Sequence, residues 1–307
     1  MKIIFFGTSN VALPVLENLS HEHQILAVVT APDARVGRNQ EIKESPVSVL
    51  AKEMELSVLK PEKVKGNPEF LKQLTDLGAE IFIVVSYGKI LPKEIINLPK
   101  YKTLNLHFSL LPKYRGASPI QFALLNGDKE TGITIFILDE KMDTGPIVAQ
   151  ETALIDADDN FLSLSQKLAF QSAKLLLSIL PGYADGSIKP AFQDEARATL
   201  TKIITKEDGK IDWGKSAQDI YNQFRAFYPW PGIWTKWNGK IIKILDCAPS
   251  NFVSNGEEGG KVIESGIVIC GQNTALEIRS LQMEGKSETG ILDFLNGYRD
   301  FTGSNLS

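Results

Sequence analysis

Three short runs of the chain, residues 2–6, 25–30 and 81–85, are almost wholly apolar and rich in β-branched side chains. They constrain the fold more than any other feature. A strand with one wet face alternates polar and apolar residues, whereas a strand that is apolar throughout must be covered on both sides. Between these runs the sequence signals helices. Gly7-Thr8-Ser9-Asn10 offers turn and N-cap chemistry for a helix through about Leu19. Ser45-Pro46 starts a second helix, to about Glu55, with proline in the first turn. A third helix is predicted over 67–77, after a short strand at 57–59. Strands alternating with helices make a parallel sheet covered on both faces.

The pattern continues with strands at 103–107, 132–138 and 147–154 and with helices at Pro119–Asn126 and 160–180, the last ending at Pro181-Gly182. The fold class is therefore α/β, with an open, mostly parallel sheet of the Rossmann type. Residues 187–204 are small and polar without a clear period, which suits a connector. From 205 the character changes to short strands separated by Gly and Asn turns, with helices expected near 216–226 and 289–297. This describes a smaller, mostly-β C-terminal domain, an open OB-like barrel. The expected division is thus 1–186, a connector at 187–204, and 205–307. A chain of 307 residues accommodates two such domains.

No apolar run approaches the roughly 20 residues that span a bilayer, and the N-terminus reads as a core strand, not a signal peptide. Cys247 and Cys270 lie in apolar strand-like segments at no metal-binding spacing. They read as buried free thiols in a reducing cytoplasm. The net charge of −4 does not advertise a nucleic-acid binder. The last domain, over 203–307, has eight lysines and three arginines against thirteen acidic residues, a net of −2.

The chain has only three histidines. His21 and His23 sit in a polar Ser-His-Glu-His stretch expected at a surface turn, while His107 is flanked by apolar residues at a strand end. In an alternating strand Asn105 and His107 point to the same side. Thirty-six residues after His107 comes Asp143, in Met142-Asp143-Thr144-Gly145-Pro146. Ligands of open α/β sheets bind beyond the carboxyl ends of the strands, so these three residues are candidates for one site. An imidazole moves protons near neutral pH, a carboxylate stabilises its cation, and an amide donates to a developing oxyanion. Gly7-Thr8-Ser9-Asn10 is not a dinucleotide fingerprint, and nothing matches a Walker loop.

Asn105-x-His107, then Ser109-Leu110-Leu111-Pro112-x-Tyr114-x-Gly116, then Asp143-Thr-Gly145 together resemble the signature of formyltransferases that use 10-formyltetrahydrofolate. Phe6-Gly7-Thr8, Pro32-Asp33…Gly37-Arg38…Ser45-Pro46-Val47, Tyr87-Gly88-Lys-Ile-Leu91-Pro92, Ile211-Asp-Trp213 and Phe227-to-Pro231 extend the likeness nearly end to end. The resemblance implies catalysis by Asn105, His107 and Asp143. It implies a folate site walled by Ser109, Leu110, Leu111 and Pro112 with Tyr87, Gly88, Leu91 and Pro92. The donor would be 10-formyltetrahydrofolate, without a metal, and the acceptor the amino group of initiator methionyl-tRNA, for translation initiation.

The polar segment 33–43 would then reach the tRNA acceptor end. Where relatives often carry a basic run after the arginine, this chain has Asn39-Gln40-Glu41, leaving Arg35, Arg38 and Lys43 for phosphate contact. Lys206 and Lys210 would add to this, and Lys236, Lys240 and Lys243 could extend one positive face. Of the tryptophans at 213, 230, 234 and 237, most are expected in the core. A monomer without membrane or obligate protein partner is expected. The nearest alternative acceptor is an amino-sugar nucleotide, which needs no arm at 33–43. A non-catalytic binder would dispense with Asn105, His107 or Asp143, and a nicotinamide oxidoreductase would need the missing Gly-rich fingerprint.

Overall fold

The structure is a computed structural model that describes residues 1–36, 41–254 and 256–307. The chain divides into two compact units. The first comprises Met1–Pro119, Glu130–Leu154 and Ser165–Thr201, and the second Ile120–Lys129, Ile155–Leu164 and Lys202–Ser307.

The first unit holds a seven-stranded sheet. Its strands are β1 (Lys2–Gly7), β2 (Gln24–Val29), β5 (Val58–Leu59), β6 (Ile81–Val85), β7 (Thr103–His107), β8 (Glu130–Ile137) and β9 (Ile147–Leu154). They lie in the order β5-β2-β1-β6-β7-β8-β9. The first five are parallel, and β8 and β9 run antiparallel at one edge. The order reverses direction beside β1, where β2 leaves to one side and β6 enters on the other. A crevice at the carboxyl ends of the strands is the expected consequence. A separate hairpin, β3 (Ala34–Val36) with β4 (Glu41–Lys43), rises from the loop after β2. Lys60 grips both feet of that hairpin, 2.5 Å from Asp33 and 3.1 Å from Glu44. Hydrogen bonds from Lys52, Ser48 and Lys60 hold the Glu44 carboxyl at about 2.

Of helices α1 (Leu13–Glu22), α2 (Pro46–Glu53), α3 (Pro68–Leu77), α4 (Lys93–Ile96), α5 (Pro119–Leu125) and α6 (Phe161–Ala184), all but the short α4 follow the sequence signals closely. Ser45 caps α2 by accepting from the Ser48 amide at 3.0 Å, and Asn67 caps α3 through the Phe70 amide at 3.0 Å. Three expectations change. Ser9 occupies a helix-start position but makes no side-chain cap. Its hydroxyl bonds Ser86 at 2.7 Å, and that of Thr8 bonds the Tyr87 carbonyl at 2.9 Å, so this turn braces the loop after β6. Helix α1 runs on to Glu22 and takes His21 into its last turn. Helix α6 continues through Pro181 to Ala184. A proline lacks its own amide and crowds the carbonyl four residues back, but the turn after it still closes, with the Asp185 amide reaching the Pro181 carbonyl at 3.0 Å.

The second unit contains a five-stranded antiparallel sheet of β10 (Ile233–Trp237), β11 (Lys240–Ser250), β12 (Ile267–Ile269), β13 (Ala275–Met283) and β14 (Thr289–Gly290). Helices α7 (Ala217–Phe227) and α8 (Ile291–Gly297) sit where the sequence predicted them. Trp213, Trp234 and Trp237 are buried and Trp230 is exposed. Arg225, buried on α7, donates to the Asp159 carbonyl at 3.0 Å and to Asn222 at 2.7 Å, which ties the segment 155–164 into this unit. Cys247 and Cys270 are buried free thiols. Burial pushes both well above the ordinary thiol range, Cys270 to about 12.

The core under the crevice combines β1, β2 and β6 with α3 and the turn after β6. Phe6, Val29, Phe70, Leu74, Phe82 and Tyr87 belong to one buried cluster. Phe6 meets Phe82 at 5.3 Å and Tyr87 edge-on at 5.5 Å. Because Phe82 is 1% exposed, Phe82→Ala is expected to destabilise the first unit by about 3–5 kcal/mol. Urea unfolding followed by circular dichroism measures this, and a loss below about 1 kcal/mol would contradict the packing described.

Candidate active site

A cavity of about 430 Å³ opens at the carboxyl ends of β6 and β7. Its walls are the turn Ser86–Leu91, the strand end Asn105–Phe108, and the loop Leu138–Asp143 with Gly116 and Ala117. Asn105 and His107 are two residues apart on β7, and both line the cavity with Asp143. The structure thus brings together the three residues singled out from sequence.

His107 is 6% exposed. Its Nε2 lies 2.9 Å from the Tyr114 carbonyl. A carbonyl only accepts, so Nε2 carries a proton, and in the neutral form of the ring Nδ1 is the bare nitrogen. That Nδ1 lies 3.7 Å from Asp143 Oδ2. The distance is too long for a hydrogen bond but short for a charge pair. Tyr114, and not Asp143, therefore sets the ring's tautomer. Asp143 Oδ2 accepts from the Gly116 amide at 2.7 Å.

Asp143 itself adopts a left-handed backbone, φ +55°. Two glycines permit the close approach of these loops. A Cβ at Gly145 would lie 1.8 Å from the Ile137 carbonyl oxygen. Gly116 has φ +113°, and a Cβ there would meet the Thr201 hydroxyl at 2.7 Å.

The loop that carries Tyr114 is pinned from behind. The Thr134 hydroxyl donates to the Ser109 carbonyl at 2.6 Å and accepts from the Leu111 amide at 3.0 Å. Gln150 donates to the Leu111 carbonyl and to Thr134, both at 2.8 Å. Residues 199–201 run alongside, with Arg115 amide to Thr199 carbonyl at 2.9 Å and Thr201 amide to Arg115 carbonyl at 2.7 Å. Sequence reading singled out neither Thr134 nor Gln150. Their signal is available only once register is known, because Thr134 is the antiparallel partner of His107.

Tyr87, Gly88 and Leu91 line the cavity. Pro92 stands at the start of α4, outside the lining, and Ser109 to Pro112 form the pinned loop behind it. Tyr87 is 2% exposed, and its hydroxyl has no hydrogen-bond partner among the described residues. Burial pushes that phenol up to about 12, so it stays a donor. Ile90 and Met142 put exposed apolar side chains at the cavity's edge, where an ion pair of 2.8 Å joins Lys93 to Glu140.

Arg35 and Lys43 are exposed on the hairpin, Lys43 lying 3.7 Å from Glu41, while Arg38 lies outside the described residues. Lys206 and Lys210 are exposed in the second unit beside β10, where the Trp234 indole donates to the Lys206 carbonyl at 3.1 Å. Lys243 stands opposite Trp234 and shares its face with Lys236, whereas Lys240 stands opposite Trp237 and has the other parity. The single face imagined for all of these lysines is therefore divided. Among the described residues no group of three or more His, Cys, Asp or Glu could hold a metal ion, and no helix is long and apolar enough to cross a membrane.

The family model "Formyl transferase" matches residues 1–180, and "Formyl transferase, C-terminal domain" matches 203–299. The chain is 44% identical to a methionyl-tRNA formyltransferase of Caldanaerobacter subterraneus subsp. tengcongensis, over 97% of each chain. In fold it is similar to an N-formyltransferase from Helicobacter canadensis solved with folinic acid and dTDP-3-aminofucose. That likeness has TM-score 0.66 and 21% identity, covering 91% of this chain and 98% of that one. It is also similar to HypX from Aquifex aeolicus in complex with tetrahydrofolic acid, with TM-score 0.61 and 16% identity. There the match covers 98% of this chain but only 48% of the other, about half its length. With both domain models matched in order and near-complete coverage of a close relative, the chain belongs to the methionyl-tRNA formyltransferase family.

Proposed function

We propose that Asn105, His107 and Asp143 carry formyl transfer from 10-formyltetrahydrofolate to the amino group of initiator methionyl-tRNA. The observation that carries this reading is the His107 ring. Its Nε2 is committed to the Tyr114 carbonyl at 2.9 Å, which leaves Nδ1 as a base beside Asp143 in the wall of the cavity.

The cavity suits a flat heterocycle with polar edges. Leu91, Ile96, Leu106 and Leu138 give apolar walls. Two proteins of this fold were solved with folates, which supports a folate here. When bound, the folate supplies the formyl group. His107 Nδ1 takes the proton of the attacking amine and then gives it to the nitrogen that leaves. The Asp143 carboxylate stabilises the ring while it is cationic. The Asn105 amide donates to the formyl oxygen as that atom gains negative charge. The pinned loop Ser109–Pro112 supports the folate pocket from behind, and Gly88 and Pro92 shape the opposite turn.

On this reading residues 1–186 hold the donor and the chemistry, and 205–307 with the hairpin contact tRNA. Arg35, Arg38, Lys43, Lys206 and Lys210 are the proposed phosphate contacts. Two buried thiols fit a cytoplasmic enzyme, and the chain is proposed to act as a monomer.

The direct test presents 10-formyltetrahydrofolate with either methionyl-tRNA or a dTDP-amino sugar and counts formylated product. Product on the tRNA alone is expected; product on the sugar alone would overturn the assignment. His107→Ala should lower turnover by about 10²–10⁴-fold, the usual scale for a lost general acid–base, while equilibrium dialysis still shows folate binding. Turnover within a few-fold of the parent would remove His107 from the mechanism. Lys206→Ala and Lys210→Ala should each flatten the salt dependence of tRNA binding by about one unit of slope in log Kd against log salt, as lost phosphate contacts do. A slope unchanged in both would exclude these lysines.

A further inference from the structure

The segment expected to be a plain connector reaches back to the site. Gln193 Nε2 donates to the carbonyls of Asp143 and Gly145, at 2.8 and 2.9 Å. One carboxamide thus spans the turn that presents the Asp143 carboxylate. Its other end is equally committed, because Gln193 Oε1 accepts from Arg115 Nε at 3.1 Å and Nη2 at 2.8 Å. Arg115 is 4% exposed, and its guanidinium forms a bidentate pair with Glu195 at 2.9 and 2.8 Å. Asp194 caps the single turn Glu195–Arg197 through the Ala196 amide at 3.1 Å, which fixes Glu195 in turn.

The chemistry admits only one orientation of the amide. Arginine can only donate and backbone carbonyls can only accept, so the oxygen must face Arg115 and the nitrogen the turn. No other side chain of this length supplies an acceptor and a two-hydrogen donor on one planar group. The turn needs such a clamp, since Asp143 holds φ +55°, a conformation that costs energy outside glycine and persists when its surroundings over-determine it.

Building on the proposed roles of His107 and Asp143, we infer that Gln193 is a positioning residue. Held by Arg115, it fixes the Asp143 turn and so sets the carboxylate against His107. Gln193 is half-buried and touches nothing that reacts, so it acts through Asp143 alone.

The sharp variant is Gln193→Glu, equal in shape. It keeps the acceptor for Arg115 but turns a carboxylate oxygen toward two carbonyls. Gln193→Ala removes the clamp without repulsion. In the full-length protein both should lower kcat by about 10²-fold, the scale of a misplaced catalytic group, with KM for folate and tRNA within about twofold. In an Asp143→Asn background Gln193→Glu should cost nothing further, because residues acting as one unit are not additive. An equal loss in that background, a loss confined to KM, or no loss at all would overturn the inference.

A crystal structure of Gln193→Glu provides a readout independent of activity. The Asp143 carboxylate should leave its position 3.7 Å from His107, and an undisplaced carboxylate would overturn the inference. If the parent protein formylates no acceptor, the proposed function fails, and the crystallographic result still decides the role of Gln193.

Discussion

The hydrogen bond from His107 Nε2 to the Tyr114 carbonyl is the contact on which the site depends. It decides which ring nitrogen is a base, and so where a proton can go. The familiar arrangement of a histidine with a carboxylate uses the carboxylate to hold the tautomer. Here a backbone carbonyl does so, and Asp143 is left as an electrostatic partner. Everything behind that carbonyl serves to keep it in place. Thr134 and Gln150 pin the loop from the antiparallel edge, and Thr199 pairs with it from the segment before the second unit.

Much of the fold was legible because covered strands and amphipathic helices write their periodicity into the sequence. The runs at 81–85 and 103–107 fell within the observed strands because each is bounded by polar turns and filled by core-facing side chains. The hairpin β3–β4 was not legible: Glu41, Ile42 and Lys43 are all exposed, and a strand with no buried face has no period to read. The end of α6 was misplaced for a different reason, since proline signals a lost amide but not whether the following amides find carbonyls.

Of the site, period-two alternation placed Asn105 and His107 on one side, Asp143 joined them through its place after another strand, and the resemblance pointed to the same three residues. Tyr114 was invisible in its essential role, because a backbone carbonyl has no residue type. Gln193 stood in a stretch whose composition suggested only a connector, and its partners lie 48 and 50 residues away in sequence. Net charge misled more than it informed. A total of −4 argued against nucleic acid, yet the chain belongs to a tRNA-modifying family. The bulk sum is silent about where exposed lysines stand, and it is position that meets phosphates.

The two thiols carry a practical consequence. A thiolate is the reactive species, and both native cysteines are buried and pushed toward the neutral form. The molecule therefore presents maleimides and iodoacetamides with a blank surface. A cysteine introduced at an exposed position such as Arg35, on the hairpin whose feet Lys60 grips, becomes the one fast-labelling handle in the chain. A fluorophore or spin label there reports on that arm with no native background to remove.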